Sequence, residues 1–107
     1  MEKIVCAAIW YKDVNLHKHG NPVSNIDKGI VVCGLRHGNC IGTMKALTGL
    51  RTVTVAEDGV GEHVQGFLTT KNRFVDRYEG FEIADREGQI LDMKETRGRR
   101  LFSEDLY

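Results

Sequence analysis

The chain has 107 residues, which is enough for one domain with a single modest core and too short for two. It carries 15 basic and 15 acidic residues, so it lacks the overall positive field that is typical of non-specific nucleic-acid binders. The apolar run near the N-terminus is too short for a membrane span, and no signal-peptide cleavage pattern follows it. We therefore expect one cytosolic domain over 1–107, which would meet an anionic partner through a local cluster of cations.

Two strands and a helix are predicted in the first half of the chain. Residues 3 to 11 are rich in β-branched and aromatic side chains, which predicts a buried strand. Residues 12 to 28 contain turn formers without a sustained period and are predicted to form a long loop, and 29 to 35 form a second strand. Asn39 as N-cap and Gly49 as C′ residue predict a helix of about ten residues between them.

The second half repeats this alternation. Residues 51 to 55 are interpreted as a short strand, and 63 to 69 as a longer strand with period-two alternation. An Asp-x-x-Glu capping box begins at Asp76 and predicts a helix that closes at Gly88. Residues 89 to 93 are predicted to return to the sheet as an edge strand.

These elements predict an α+β fold, in which a small, mostly antiparallel sheet is covered on one face by two helices. The tail leaves the regular pattern but keeps hydrophobic side chains, so we expect it to dock, with a neighbouring subunit as a candidate surface. Cys6, Cys33 and Cys40 are odd in number, and two of them lie in strand-like runs. They are therefore predicted to be reduced, largely buried thiols rather than a disulfide framework.

A glycine-rich turn precedes the first helix and contains Arg36 and His37. Backbone N–H groups at a helix start, with an arginine beside them, can hold a phosphate. The glycine spacing fits neither the phosphate loop of NTPases nor the dinucleotide fingerprint, and a simple turn is the plainer interpretation. Cys33, His37 and Cys40 lack the close pair spacing of structural zinc, so we expect neither a metal site nor a Cys40 nucleophile.

Phe74 lies between Arg73 and Arg77, just before the second helix. An aromatic ring flanked by guanidinium groups suits base stacking, which contributes about 1–3 kcal/mol per base. A hydrophobic plug before the helix cap is an equally good interpretation of the same ring. A second cationic cluster, in the tail, consists of Arg97, Gly98, Arg99 and Arg100. It suits multidentate phosphate recognition, and a solvated tail is the alternative.

Several segments together resemble a known family of small phage proteins. They are Cys-Ala-Ala-Ile-Trp-Tyr-Lys, Gly-Leu-Arg-His-Gly-Asn-Cys-Ile, Gln-Gly-Phe-Leu-Thr-Thr-Lys-Asn-Arg-Phe-Val-Asp-Arg, Ile-Ala-Asp-Arg-Glu-Gly-Gln-Ile and Leu-Phe-Ser-Glu-Asp-Leu-Tyr. The family that they resemble is the phage Thoeris anti-defence proteins of the first type, which sequester cyclic ADP-ribose isomers without cleaving them. Its members form dimers that build up to hexamers, and some also capture the cyclic di- and trinucleotides of another bacterial immune pathway.

The resemblance implies a non-enzymatic sponge in the cytoplasm of the infected host, without catalytic residues, cofactor or metal. The ligand would occupy a pocket between subunits, where Phe74 stacks on a base and arginines pair with phosphates. The implied ligand-binding set is Arg36, His37, Arg73, Phe74, Arg77, Arg97, Gly98, Arg99 and Arg100. Two alternatives stay open: a small phosphodiesterase or glycohydrolase that uses His37 or His63 as acid or base, and a nucleic-acid-binding module.

Overall fold

The computed structural model describes residues 1–14, 22–54, 56–96 and 98–107. Its strands are β1 (Ile4–Tyr11), β2 (Ile30–Gly34), β3 (His63–Thr69) and β4 (Phe74–Asp76), and its helices are α1 (His37–Thr48) and α2 (Arg77–Arg86). Short 3₁₀ helices follow at Met93–Glu95 and Ser103–Asp105. The strands form one antiparallel sheet in the order β2-β1-β3-β4. The predicted α+β fold is thereby confirmed.

The side chains of β1 point alternately to the two faces of the sheet, and each face has its own cluster of buried residues. Ala7, Ile9 and Tyr11 are fully buried in the main core, whereas Ala8 and Trp10 belong to a smaller cluster on the opposite face. The main core also contains Cys40, Met44, Phe67, Val75, Phe81, Ala84 and Leu101. Since this core draws residues from both α1 and α2, both helices cover the same face of the sheet, as predicted.

Helix α1 begins earlier than the sequence suggests. Its N-cap is Arg36 rather than Asn39, and Asn39 lies in the first turn. From there the Asn39 side-chain oxygen accepts a hydrogen bond from the Arg36 N–H at 3.0 Å, so it still satisfies a donor at the helix start. Gly49 ends the helix with φ of +72°, which confirms the predicted stop signal.

Helix α2 begins at the predicted cap. One carboxylate oxygen of Asp76 accepts hydrogen bonds from the N–H groups of Tyr78 and Glu79, at 3.0 and 2.8 Å. The Glu79 carboxylate pairs with Arg73 at 2.8 Å. Gly88, with φ of +69°, follows the end of the helix. The Asp76 cap and the stop signal are therefore confirmed, but the predicted capping box is incomplete, because the Glu79 carboxylate pairs with Arg73 instead of the Asp76 N–H.

Two predicted strands do not form within the described residues. In the 51–55 segment, where Val55 lies outside the described residues, Arg51 makes an isolated bridge to Gly59. After α2, the side-chain amide of Gln89 bonds both main-chain groups of Ile4, at 2.8 and 2.9 Å, in place of a backbone ladder. The edge beside β3 is occupied instead by β4, which is only three residues long and too short to leave a periodic pattern.

The C-terminal tail docks on its own domain. Leu101 is fully buried in the main core, and its N–H donates to the Arg77 carbonyl at 2.9 Å. The N–H of Leu91 donates to the Asp105 carbonyl at 2.8 Å. This hydrogen bond joins the segment that follows α2 to the C-terminal end of the chain. The apolar residues that predicted docking therefore serve the core of the same chain.

Candidate functional site

A cleft of about 360 Å³ opens on the face of the sheet opposite the helices. This volume lies in the range of about 300–1,000 Å³ that is usual for small-molecule sites. The lining consists of Trp10, Lys12, Asn25, Ile26, Val64, Phe74, Asp76 and Glu79. Four of these eight residues are apolar and four are polar or charged, so the cleft is more polar than a typical small-molecule site. We call this feature the aromatic cleft.

The floor of the aromatic cleft is formed by two rings. Trp10 and Phe74 have ring centroids 6.1 Å apart, with their planes tilted by 60°. Phe74 is only 6% exposed, because its ring lies directly over Gly66. A Cβ atom at Gly66 would approach the Phe74 ring to 2.7 Å and the Val75 carbonyl to 2.1 Å, so only glycine allows this packing. Phe74 is therefore a buried plug that also lines the cleft.

One wall of the cleft comes from the segment that precedes β2. The Asn25 side chain donates to the Phe74 carbonyl and accepts from the Phe74 N–H, both at 2.7 Å. The N–H and hydroxyl of Ser24 bind the Asn72 carbonyl at 2.9 and 2.8 Å. The amide side chain thus pairs with β4 as a neighbouring strand would, and it fixes the wall against the sheet. The sequence predicted only a loop here, and residues 15–21 lie outside the described residues.

The rim carries charges of both signs. The Lys12 ammonium lies 4.9 Å from the centre of the Trp10 ring, in a cation–π arrangement. Asp76 and Glu79 contribute carboxylates, and Asp76 also caps α2. Among the described residues that line the cleft, Lys12 thus supplies the positive charge beside two carboxylates, of which Glu79 is paired with Arg73.

Arg73 lies beside the cleft but is engaged by two carboxylates. It donates to both oxygens of Glu2, at 2.8 and 2.9 Å, and to Glu79 at 2.8 Å. The hydrogen bonds from Arg73, followed by one from Thr69, lower the pKa of Glu2 to about 2. The guanidinium therefore ties the N-terminus to α2, and a ligand phosphate would compete with both carboxylates for it.

Arg36, Arg77 and Arg100 contact the C-terminal tail, and none of them lines the aromatic cleft. Arg77 donates to the Leu101 carbonyl at 2.7 Å and to the Gln65 side chain at 2.6 Å. Its guanidinium lies 4.3 Å from the Phe102 ring centre, and that of Arg100 lies 5.8 Å from the same ring. These contacts hold the tail on the domain.

Arg36 contacts the last residue of the tail. Its guanidinium donates to the main-chain oxygen of Tyr107 and lies 4.9 Å from the Tyr107 ring centre. The Tyr107 hydroxyl in turn donates to the Leu35 carbonyl. Arg36, which was predicted to bind a phosphate at the start of α1, thus holds the C-terminal tail in this structure.

The remaining tail cluster is only partly described. Arg97 lies outside the described residues, and Gly98 forms a turn with φ of +61°. Arg99 pairs with Glu82 of α2 at 2.6 Å, and both side chains are exposed. Such an exposed pair is screened by solvent and leaves the guanidinium accessible.

His37 is buried under the sheet rather than presented to a ligand. It is 9% exposed, and its Nε2 lies 2.8 Å from the Gly66 carbonyl oxygen. Burial is the main cause that lowers its pKa, with a smaller contribution from Arg77. His63 lies elsewhere, with Nδ1 3.0 Å from the Gly61 carbonyl and its ring stacked on Tyr11. Both rings are therefore engaged in packing.

The residues that were predicted to bind a nucleotide therefore lie in two separate places. Arg73 and Phe74 adjoin the aromatic cleft, whereas Arg36, Arg77 and Arg100 lie with the tail. Sequence reasoning missed Trp10, Lys12 and Asn25. Two of them carried a signal: the alternation of β1 places Trp10 opposite the helix-covered side chains, and Lys12 directly follows the strand.

Neither a metal site nor a membrane span emerges from the described part of the chain. Within it, no group of three or more His, Cys, Asp or Glu side chains could hold a metal ion. No helix in that part is long and apolar enough to cross a membrane.

A family model described as phage T4 y16D protein matches residues 3–107. The chain belongs to this family. The match spans the aromatic cleft, both helices and the docked tail, so the whole described fold is that of a y16D family member. Curated proteins and solved structures yield no match. Membership in the y16D family agrees with the predicted phage origin, and the anti-Thoeris function stays a prediction.

Proposed function

We propose that this y16D family protein is a phage sponge, which binds a cyclic ADP-ribose-type immune signal of the host and retains it without cleavage. The observation that carries the proposal is the aromatic cleft, with Trp10 and Phe74 as its floor and Lys12 at its rim. The resemblance to anti-Thoeris proteins supplies the ligand class. Cyclic di- and trinucleotides, which have the same bases and phosphates, are the second class of ligand.

The cleft offers one contact for each part of a nucleotide. Trp10 is partly exposed, so a base can stack on it, and such stacking contributes about 1–3 kcal/mol. Lys12 can pair with a phosphate at the rim. Retention at nanomolar concentration requires about 12 kcal/mol, which is more than one stacked base and one ion pair contribute. The ligand must therefore make further contacts.

A second subunit is the proposed source of those contacts. The tail arginines that the structure describes, Arg99 and Arg100, contact Glu82 and Phe102 and do not line the cleft, so we infer that guanidinium contacts to the ligand come from another protomer. A partner that placed its tail surface over the cleft would enclose the ligand and add guanidinium groups. A homodimer, building up to a hexamer as the resemblance implies, is therefore part of the proposal.

The positions of the two histidines favour retention of the ligand over its hydrolysis. The hydrolase that the sequence left open would use His37 or His63 as acid or base. His37 is buried beside the Gly66 carbonyl, and the His63 ring is stacked on Tyr11. Neither residue lines the aromatic cleft.

Native mass spectrometry of the purified protein with cyclic ADP-ribose isomers and cyclic oligonucleotides tests the proposal. We expect an oligomer that carries an intact cyclic nucleotide and releases it chemically unchanged on heating. A cleaved product would favour the enzyme. Preference for a long RNA or DNA strand, with affinity that falls steeply as salt rises, would favour the nucleic-acid module. A monomer that retains none of these ligands would overturn the sponge.

Variants of the cleft test where the ligand sits. Trp10→Ala removes the stacking surface and is expected to weaken binding by about 5- to 150-fold, since each 1.4 kcal/mol is tenfold in affinity. Tyr78→Ala is the matched control, because Tyr78 is an exposed aromatic residue of α2 outside the cleft lining. Calorimetric titration should show unchanged affinity for the control. Equal losses of affinity in both variants would show that the ligand does not bind in the cleft.

A further inference from the structure

Two of the three cysteines meet on the face of the sheet that carries the aromatic cleft. All three are free, as predicted, but only Cys40 is buried; Cys6 is half-buried and Cys33 is exposed. Cys33 of β2 pairs directly with Ala8 of β1, and Cys6 lies two residues before Ala8. Residues two apart in a strand share a face, so Cys6 and Cys33 are diagonal neighbours across the two strands. Cys40 lies under the opposite face, where its thiol contacts the Ala7 carbonyl.

The two thiols differ in acidity, because the contact between them shifts their pKa values in opposite directions. The Cys33 thiol and the Gly34 N–H lie close enough to the Cys6 sulfur to favour its thiolate form. These two groups stabilise the Cys6 thiolate and lower its pKa to about 7, although partial burial acts against them. The same contact raises the pKa of Cys33. Tyr107 and Cys40 add weaker electrostatic interactions with Cys6. Since the thiolate is the reactive form of cysteine, Cys6 is the nucleophile of the pair.

We propose that Cys6 and Cys33 form an oxidant-sensitive dithiol site, in which hydrogen peroxide oxidises Cys6 and Cys33 then closes a disulfide with it. In the first step the Cys6 thiolate attacks one peroxide oxygen. The O–O bond breaks, an S–O bond forms, and the departing hydroxide takes up a proton to become water. In the second step the Cys33 sulfur attacks the Cys6 sulfenic acid. The S–S bond forms, the S–O bond breaks, and the Cys33 proton leaves with the hydroxide as a second water.

The position of β2 makes this closure feasible. Diagonal residues have Cα atoms about 7–8 Å apart, whereas disulfides usually need about 4.4–6.8 Å. The two strands must therefore draw together locally. Strand β2 lies at the edge of the sheet, so such a shift disturbs its ladder with β1 and its packing on α1 but breaks no second ladder of the described sheet. A disulfide formed under this strain should be readily reduced again by small thiols.

Peroxide treatment followed by intact-mass measurement and peptide mapping tests the site. Lys and Arg residues separate the three cysteines into different tryptic peptides, namely 4–12, 29–36 and 37–45. We expect the protein to lose two hydrogens, the linkage to map to Cys6 and Cys33, and dithiothreitol to reverse it. Cys40→Ala should leave the reaction unchanged. A linkage to Cys40, a cross-link between chains, or thiols that survive peroxide would overturn the proposal.

Two variants of Cys33 separate its roles as hydrogen-bond donor and as resolving thiol. Cys33→Ser keeps a donor but cannot form the disulfide, so a Cys6 sulfenic acid should accumulate and be trapped by dimedone. Cys33→Ala removes the donor and should shift the pH midpoint of Cys6 alkylation by iodoacetamide upward from about 7. An alkylation midpoint that is the same in wild type and Cys33→Ala would show that Cys33 does not activate Cys6.

Discussion

The two faces of the sheet differ in how completely they are covered. The helix-covered face is closed: Ile9, Tyr11 and Phe67 are fully buried under both helices and the tail. The opposite face is covered only in part, which leaves the aromatic cleft and the Cys6–Cys33 pair accessible. Burial on the closed face stabilises the fold, and partial exposure on the open face leaves side chains available for binding and reaction.

Gly66 connects the two faces. Its carbonyl oxygen lies 2.8 Å from the His37 ring on the closed face, and its Cα supports the Phe74 ring on the open face. The cleft therefore depends on a residue without a side chain in the middle of β3. The following changes test this division, from the largest expected effect to the smallest.

Gly66→Val is expected to destabilise the protein by about 3 kcal/mol or more, because the new side chain would overlap both the Phe74 ring and the Val75 carbonyl. Urea denaturation measures the loss. Gly42→Ala is the control. Gly42 lies in α1 with open space around it, so alanine should raise the free energy of unfolding by about 0.5–1 kcal/mol. A Gly66→Val protein as stable as wild type would contradict the packing of Phe74 on the sheet.

Leu101→Ala tests how much the tail contributes to the closed face. Removal of a fully buried leucine side chain should cost about 2–5 kcal/mol and loosen the tail. Thermal unfolding followed by circular dichroism measures the change, with the exposed Leu91→Ala as the control that should stay close to wild type. Equal stability of the two variants would show that the tail does not close the core.

Glu2→Gln tests the ion pair beside the cleft and should cost about 1–2 kcal/mol at neutral pH. The Glu2 side chain is 11% exposed, and its pKa is lowered from 4.5 to about 2 by Arg73. The carboxylate therefore stabilises the fold above about pH 4.5, and this contribution is lost as the pH falls towards 2. Stability measured against pH should show wild type and variant converging in acid. A constant difference across this range would contradict the assignment.

Arg99→Ala is expected to have the smallest effect. Its guanidinium pairs with Glu82 and lies 5.0 Å from the Phe81 ring centre. The Arg99 and Glu82 side chains are 62% and 60% exposed, so solvent screens the ion pair. The unfolding midpoint should not change measurably. Arg77→Ala is the comparison, because the Arg77 bonds to Leu101 and Gln65 are partly buried and their loss should lower the midpoint. A larger effect at Arg99 than at Arg77 would reverse the roles given to the two arginines.

Local patterns predicted the elements that carry strong signals. The period of β3 and the Asp76 cap of α2 were identified correctly, since alternation and capping depend on neighbours in sequence. The prediction of a strand at 89–93 was wrong, because hydrogen bonds from the Gln89 side chain to Ile4 take the place of a backbone ladder. Strand β4 was missed because it is short and depends on Asn25, which is distant in sequence, for its outer partner.

The sequence by itself determined the α+β class, the single domain and the helix signals, and its family match determined the phage origin. Only the tertiary structure decided which charges and rings meet. An arginine looks the same in sequence whether it is accessible or engaged, and the carboxylates and carbonyls that engage Arg73 and Arg77 are distant in the chain. The same holds for Trp10 and Phe74, because strand pairing and the open backbone at Gly66 bring the two rings together.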